Sequence, residues 1–134
     1  MKVVINRSYG GFGLSFEAVL LYAKIKNIKL YPYKLCSGGM YKKVHRSMEN
    51  DCIWLLTDRG DVCINKDTDY DDIFSPYCID RADMALVEAV HQLGERANGV
   101  FSKLKILELP DNADYFIQHR HGMERIIHEG KSYW

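Results

Sequence analysis

The sequence has no excess of charge of either sign, because 18 Lys and Arg residues balance 18 Asp and Glu residues in a chain of 134. No overall field therefore draws the protein to nucleic acid or to an anionic membrane surface. The one basic cluster, YKKVHR at residues 41–46, is typical of a solvated surface. We expect neither a nucleic-acid partner nor a membrane partner.

The sequence also lacks the cysteine spacing of metal and redox motifs, and it has no long apolar run. Since none of the four cysteines forms a CxxC pattern, we expect reduced, buried thiols. These are Cys36, Cys52, Cys63 and Cys78. No apolar stretch approaches the ~20 residues of a membrane-spanning helix, and the first residues run into an apolar strand with no leader-like segment. A soluble, intracellular protein is expected.

The composition that is present is that of a globular domain. Hydrophobic residues make up 47% of the chain and charged residues 27%, which is typical of folded domains. A chain of this length fits one domain and can bury about two-thirds of its unfolded surface. The sequence contains no repeat, low-complexity tract or linker, so residues 1–134 are expected to form one domain.

The order of predicted elements indicates an α+β domain, with a mixed or antiparallel sheet and two helices packed against it. Pro32 favours a sheet edge or a strand end. For residues 123–129 the pattern does not distinguish a helical turn from a strand. The predicted elements are strands at 3–5 and 28–33, a helix at 15–26, a hairpin of 52–57 and 61–65 around residues 58–60, a helix at 83–98, and strands at 104–109 and 115–119.

The second helix has the clearest periodicity. Asp83 can cap its N-terminus, and Asn98-Gly99 are residues that tolerate the left-handed conformation of a helix end. Its apolar stripe is expected to face the sheet that contains Trp54. The stripe consists of Met84, Leu86, Val87, Val90, Leu93 and Ala97.

The most informative segment is the N-terminal strand, glycine-rich turn and helix start, where Ser15 stands at the N-cap position of a helix that Asn27 is expected to end. Such a segment can cradle an anion, because glycines allow backbone N–H groups to approach closely and a helix N-terminus carries partial positive charge. The segment does not end in the Gly-Lys-Ser/Thr of a nucleotide-triphosphate loop, and Phe16 replaces the third glycine of the dinucleotide motif. A plain tight turn is the alternative. The candidate ligand-binding residues are Asn6, Arg7, Tyr9, Gly10, Gly11, Gly13 and Ser15.

Other clusters of polar residues predict no second site. The set His119, His121, Glu124 and His128 has no known zinc spacing. The acidic run at residues 67–72 lacks the glycine and the bidentate Glu of a calcium loop. We therefore predict no metal, no cofactor and no catalytic residue.

Three segments together resemble a widespread group of small, uncharacterised bacteriophage proteins. They are residues 1–15 (MKVVINR and YGGFGLS), residues 86–99 (ending in LGERANG), and residues 104–111 with the closing Gly122-x-Glu124. The likeness covers most of the chain and is weakest at 34–52. His119, His121 and His128 depart from it, since such proteins tend to be acidic there.

The resemblance implies a phage accessory gene expressed in the host cytoplasm. It also implies a counter-defence role, either by masking a host protein or by sequestering a nucleotide signal. The leading hypothesis is a binding protein that holds an anionic small ligand, such as a nucleotide, near the Asn6–Ser15 loop. The alternative is an inhibitor that contacts a host protein through Tyr133 and Trp134, and the third is a nucleotide or phosphoester enzyme. The oligomeric state, including a homodimer, stays open.

Overall fold

A short antiparallel ribbon of two strands, β1 (Lys2–Asn6) and β7 (Leu104–Glu108), lies at the centre of the fold. In this computed structural model, which describes residues 1–37, 40–44, 52–60, 64–65 and 72–134, the first strand is almost wholly buried. Val4 faces the helices, whereas Val3 and Ile5 face a three-stranded sheet on the other side. This continuous apolar run predicts a strand covered on both faces, as observed.

The fold is a single α+β domain with antiparallel sheets and two packed helices, as predicted. The three sheets have the orders β1-β7, β10-β9-β8 and β5-β3-β2-β4-β6. The α-helices are α1 (Phe16–Lys26) and α2 (Met84–Leu93). The strands are β1 (Lys2–Asn6), β2 (Tyr31–Ser37), β3 (Met40–Lys43), β4 (Cys52–Leu55), β5 (Ile64–Asn65), β6 (Ile73–Phe74), β7 (Leu104–Glu108), β8 (Phe116–Arg120), β9 (Met123–His128) and β10 (Lys131–Tyr133).

Both helices start at the predicted caps. The Ser15 hydroxyl accepts a hydrogen bond from the Ala18 N–H, and the Asp83 carboxylate accepts one from the Ala85 N–H. Each cap satisfies a backbone donor that the first helical turn leaves open. Helix α1 ends at Asn27 in the left-handed conformation, also as predicted.

The second helix ends earlier than predicted, and its apolar stripe faces other elements. The left-handed residue is Gly94 (φ 58°), and a 3₁₀ turn follows, while Asn98 has an extended backbone. The Asn98 side chain instead accepts a hydrogen bond from the Leu104 N–H, at the start of β7. Met84 is 86% exposed, so its assignment to the stripe was wrong.

The buried face of α2 packs on α1 and on the central ribbon. Leu86 and Val90 share a core with Val4 and Tyr22, whereas Trp54 belongs to a separate cluster with Phe16. The prediction that this face meets the sheet of Trp54 was therefore wrong. Helix α1 lies between them and contributes to both cores.

The predicted hairpin of residues 52–57 and 61–65 does not form. Strand β4 pairs with β2 and β6, and β5 pairs with β3. Residues 61–63 lie outside the described part of the chain. Residues 58–60, the predicted hairpin turn, are instead bonded to β2. The buried Tyr33 hydroxyl accepts a hydrogen bond from the Arg59 N–H and donates one to the Gly60 carbonyl.

The strand predicted at 28–33 begins three residues later. The Ile28 N–H bonds back to the Ala23 carbonyl and closes the helix end, so the strand starts only at Tyr31. Strand β2 is central in its sheet, not an edge. Pro32 is the second residue of the strand, where its carbonyl accepts a hydrogen bond from the Val44 N–H at 2.9 Å, so it lies at a strand end, which was one of the two predicted positions.

Residues 123–129, which the sequence left undecided, form strand β9 and its turn. Side chains alternate along it, with Glu124, Ile126 and His128 buried. Strand β8 pairs with one side of β9 and β10 with the other. No helix in the described part of the chain is long and apolar enough to cross a membrane.

Candidate functional site

The glycine loop, which we define as residues 8–14, turns the chain sharply between β1 and α1. Gly10 and Gly11 both have positive φ, 104° and 99°, which L side chains rarely adopt. A Cβ on Gly10 would lie 2.9 Å from the Cβ of Phe101. The prediction that this turn depends on its glycines is confirmed at these two positions.

A second glycine turn packs directly against the first. Gly122, in the turn between β8 and β9, has no room for a side chain, since a Cβ there would lie 2.2 Å from the Gly11 nitrogen. The Gly10 N–H donates to the His121 carbonyl at 3.1 Å. The β8–β9 hairpin is therefore held against the loop at backbone distance.

Asn6 is fully buried and joins three segments by hydrogen bonds. Its amide nitrogen donates to the carbonyls of Ser8 and Gly122, both at 2.8 Å. Its amide oxygen accepts from the Lys103 N–H at 2.9 Å and from the Ser8 N–H. These bonds occupy the polar atoms of Asn6 in bracing the loop.

A buried ion pair lies beneath this junction, and sequence reasoning missed it. The two guanidinium nitrogens of Arg81 donate to the two Glu124 oxygens at 2.6 and 2.9 Å. Glu124 also accepts from the Asn6 N–H at 2.8 Å, and Arg81 covers the Phe12 ring at 3.5 Å from its centroid. The two partners are 43 residues apart, so no local pattern could reveal the pair.

The structure divides the predicted ligand-binding residues between two clefts. Gly10, Gly11, Gly13 and Ser15 line one cleft, of about 440 Å³, which we call the glycine cleft. No charged side chain lines it among the described residues. The hydroxyl of Ser15 is engaged as the helix cap, so an anion there would meet only backbone groups and the helix terminus.

Arg7 and Tyr9 line a second cleft, of about 500 Å³. We call it the arginine cleft, because three guanidinium groups line it. Among the described residues its lining has one carboxylate side chain, Glu124, which is already paired with Arg81. The lining residues are Arg7, Tyr9, Gln118, His119, Arg120, Met123, Glu124, Arg125 and Trp134.

The arginines of this cleft use few of their donors in hydrogen bonds within the described part of the chain. Arg7 donates one bond, to the Glu124 carbonyl at 2.6 Å, and Arg125 donates through Nε to Gln118 at 2.6 Å. Within the described part of the chain Arg120 has no hydrogen-bond acceptor. A guanidinium presents five donors in a fixed fork that fits phosphate oxygens two at a time.

Two aromatic rings stand beside these charges. Tyr9 is 67% exposed and Trp134 is 56% exposed. The guanidinium carbon of Arg7 lies 5.9 Å from the Trp134 ring centroid, within cation–π range. Trp134 therefore packs partly on the domain and leaves a ring face beside the cationic groups.

The histidines do not converge on a metal centre. His128 is buried and its Nδ1 contacts the Asp114 carbonyl at 2.7 Å, His119 lies opposite Glu124 on the paired strands, and His121 lies in the turn. No group of three His, Cys, Asp or Glu side chains in the described ranges could hold a metal. The acidic residues at 67–71 lie outside the described residues.

The prediction of buried thiols was wrong for the two cysteines whose side chains the structure describes. Cys78 is exposed and Cys52 is half-buried. Cys78 lies in a 3₁₀ turn that leaves its short segment on the surface. The side chains of Cys36 and Cys63 lie outside the described residues.

The strongest shift of pKa occurs away from both clefts. Burial, with a hydrogen bond to Asp83, raises the pKa of Tyr22 to about 12. Burial also acts to raise the pKa of Asp83, but hydrogen bonds from Lys26, Ala85 and Tyr22 outweigh it and lower that pKa. Because Asp83 caps α2 and joins it to α1, this cluster is structural.

Comparison with known proteins adds no relative, since no protein-family model, no curated protein and no solved structure matches this chain.

Proposed function

We propose that this chain is a phage accessory protein that acts by binding in the host cytoplasm, and that its ligand is a small anion of the nucleotide class held in the arginine cleft. One observation carries the proposal. Three guanidinium groups and two exposed aromatic rings line a single cleft whose only carboxylate is already paired. Phosphate oxygens fit the first and a planar base fits the second.

The roles within the cleft follow from the geometry. Arg120 and Arg125 point their unused donors toward a phosphate, and Arg7 contributes a third charge beside Trp134. Trp134 and Tyr9 offer ring faces to a base. The described lining contains no serine, threonine or cysteine to attack a phosphoester, and its one hydroxyl belongs to Tyr9. We therefore propose binding in place of catalysis.

The resemblance to phage proteins supports a biological role for such binding. A protein that holds a nucleotide without converting it lowers the free concentration of that nucleotide. Sequestration of a nucleotide signal in the infected cell is therefore the role we propose.

The test is calorimetric titration with ATP and ADP of the parent protein and of Arg120→Gln and Arg125→Gln. Loss of one charge-assisted contact should cost roughly 1.5–3 kcal/mol, or about a 10- to 150-fold rise in Kd. Arg96→Gln is the matched control, since Arg96 is an exposed arginine paired with Glu17 outside the arginine cleft. Unchanged affinity in both cleft variants, or a loss confined to Arg96→Gln, would contradict the proposal.

A second candidate function, masking of a host protein, is supported by the rim of the glycine cleft. Tyr77, Val100 and Phe101 are 62–71% exposed and lie together along that cleft. Contiguous exposed apolar side chains often mark a protein contact. Under this proposal, Phe101→Ser should abolish co-purification of a host protein that the parent retains, whereas Phe116→Ser, at a phenylalanine on β8 that is 58% exposed, should not.

A further inference from the structure

Cationic side chains continue beyond the arginine cleft along strand β7. Lys103 and Lys105 are two residues apart and therefore project from the same face of the strand. The Arg7 N–H donates to the Lys103 carbonyl at 2.7 Å, which extends the β1–β7 register by one residue and sets Lys103 opposite Arg7. Arg7, Lys103 and Lys105 thus share one side of the central ribbon.

Trp134 links these lysines to the cleft. Its carbonyl accepts a hydrogen bond from the Lys105 ammonium at 2.9 Å, and its ring lies beneath Arg7. Arg7 therefore contacts the ring of Trp134 and Lys105 contacts its carbonyl, so a cleft arginine and a lysine meet at one residue. An exposed tyrosine, Tyr9, lines the same cleft.

Five cations (Arg7, Lys103, Lys105, Arg120 and Arg125) and two exposed rings give this surface more phosphate contacts than one nucleotide can use. Proteins that bind single strands combine a cationic path for the backbone with rings on which successive bases stack. Paired bases in a duplex are already stacked on one another and have no free face for Trp134 or Tyr9. The balanced total charge of the chain does not oppose such a site, because Glu124, already paired with Arg81, is the one acidic side chain that lines the cleft within the described part of the chain.

We infer that the arginine cleft and the adjoining lysines of β7 bind single-stranded nucleic acid, with phosphates on Lys103, Lys105 and the cleft arginines and bases on Trp134 and Tyr9. This inference rests on the proposed function, since it takes the nucleotide held in the cleft to be one unit of a strand. It departs from the expectation, based on net charge alone, that nucleic acid is no partner.

The test is fluorescence anisotropy with labelled (dT)8, competed with unlabelled dTMP, (rU)8 and a duplex, over a range of salt concentrations. We expect (dT)8 to bind at least 10-fold more tightly than dTMP, and either single strand to compete far better than duplex. Each phosphate contact on a single strand contributes about −0.7 to the slope of log K against log salt. The double variant Lys103→Gln/Lys105→Gln should therefore reduce that slope by about 1.4, whereas Lys103→Gln alone, which keeps the contact of Lys105 with Trp134, should reduce it by about 0.7 and leave dTMP binding unchanged.

The matched control is Lys24→Gln/Lys29→Gln, which makes the same change of charge at exposed positions on and just after α1. Of the two lysines, only Lys105 contacts Trp134. Lys103→Gln alone therefore removes a charge without removing a contact that positions Trp134. If dTMP binds as tightly as (dT)8, or the control lowers the slope as much as the β7 variant, the inference is overturned while the nucleotide proposal stands. Equal competition by duplex also overturns it. If neither dTMP nor (dT)8 binds, both proposals fail.

Discussion

Removal of the Glu124 carboxylate should destabilise the protein more than its position in a hairpin suggests. The side chains of Glu124 and Arg81 are only 8% and 17% exposed. In Glu124→Ala the Arg81 guanidinium loses both carboxylate bonds and the Asn6 N–H loses its acceptor. Loss of one partner of a buried pair costs about 3–5 kcal/mol, because the other charge stays buried without compensation.

The assay is urea denaturation followed by circular dichroism. Small domains have a total unfolding free energy of about 5–15 kcal/mol, so the midpoint for Glu124→Ala should fall by a large fraction, with little change in the slope m. The double variant Arg81→Leu/Glu124→Leu removes both charges together. It should be more stable than Glu124→Ala, since no buried charge then lacks its partner.

A loss below about 1 kcal/mol in Glu124→Ala would refute this reasoning, because a value that small is typical of exposed pairs. The arginine cleft supplies a second readout. Glu124 fixes the hairpin that carries Arg120 and Arg125 against the strand that carries Arg7, so ligand affinity should fall even at temperatures where the variant stays folded.

Three further predictions concern packing and pH. Leu86→Ala, at a fully buried position, should lower the free energy of unfolding by about 2–5 kcal/mol. Met84→Ala, on the exposed face of the same helix, should change it by no more than about 0.5 kcal/mol. Equal losses of stability in urea denaturation would mean that α2 packs through another face. Gly122→Ala should destabilise the protein far more than Gly130→Ala. Both glycines have positive φ (87° and 74°), but only at residue 122 would the added Cβ clash with the glycine loop. Similar urea midpoints for the two variants would exclude that close contact. The raised pKa of Tyr22 predicts stability that is fully present below pH 10 and lost as the pH rises through about 12, by up to roughly 3 kcal/mol. Tyr22→Phe should flatten the alkaline part of the stability profile, and an unchanged profile would show that Tyr22 does not couple to folding.

Local signals predicted the elements well where they needed no distant partner. Ser15, Asn27 and Asp83 act as caps because each uses its own side chain or backbone within a few residues. The end of α2 was misplaced because Asn98-Gly99 and Gly94 are both suitable stops. What decides between them is the bond from the Leu104 N–H to Asn98, a tertiary use of that side chain.

Strand pairing was beyond the reach of local pattern. Residues 52–57 and 61–65 are good strand formers around a turn, yet β4 finds its partners in β2 and β6. Two buried side chains of that sheet, Tyr33 and Leu55, pack together across the β2–β4 pair. Their burial follows from contacts between segments about 20 residues apart in sequence.

The candidate site was predicted in part. Arg7 and Tyr9 were singled out as residues next to a glycine turn, and the structure places both in the arginine cleft. Arg120 and Arg125 were missed, because contacts between segments more than 100 residues apart, such as those of Asn6 with Gly122 and Glu124, bring their hairpin to Arg7. Trp134 was noticed as an exposed aromatic but was assigned to a protein partner.

The two tryptophans of this chain provide the most direct test of the central claim, since each lines a different cleft. Trp54 lines the glycine cleft and Trp134 lines the arginine cleft. In a ¹H–¹⁵N NMR titration with ATP, each indole N–H gives its own resonance. We predict that the Trp134 resonance shifts with saturation while the Trp54 resonance stays in place. A saturable shift of Trp54 alone would place the ligand in the glycine cleft and contradict the account.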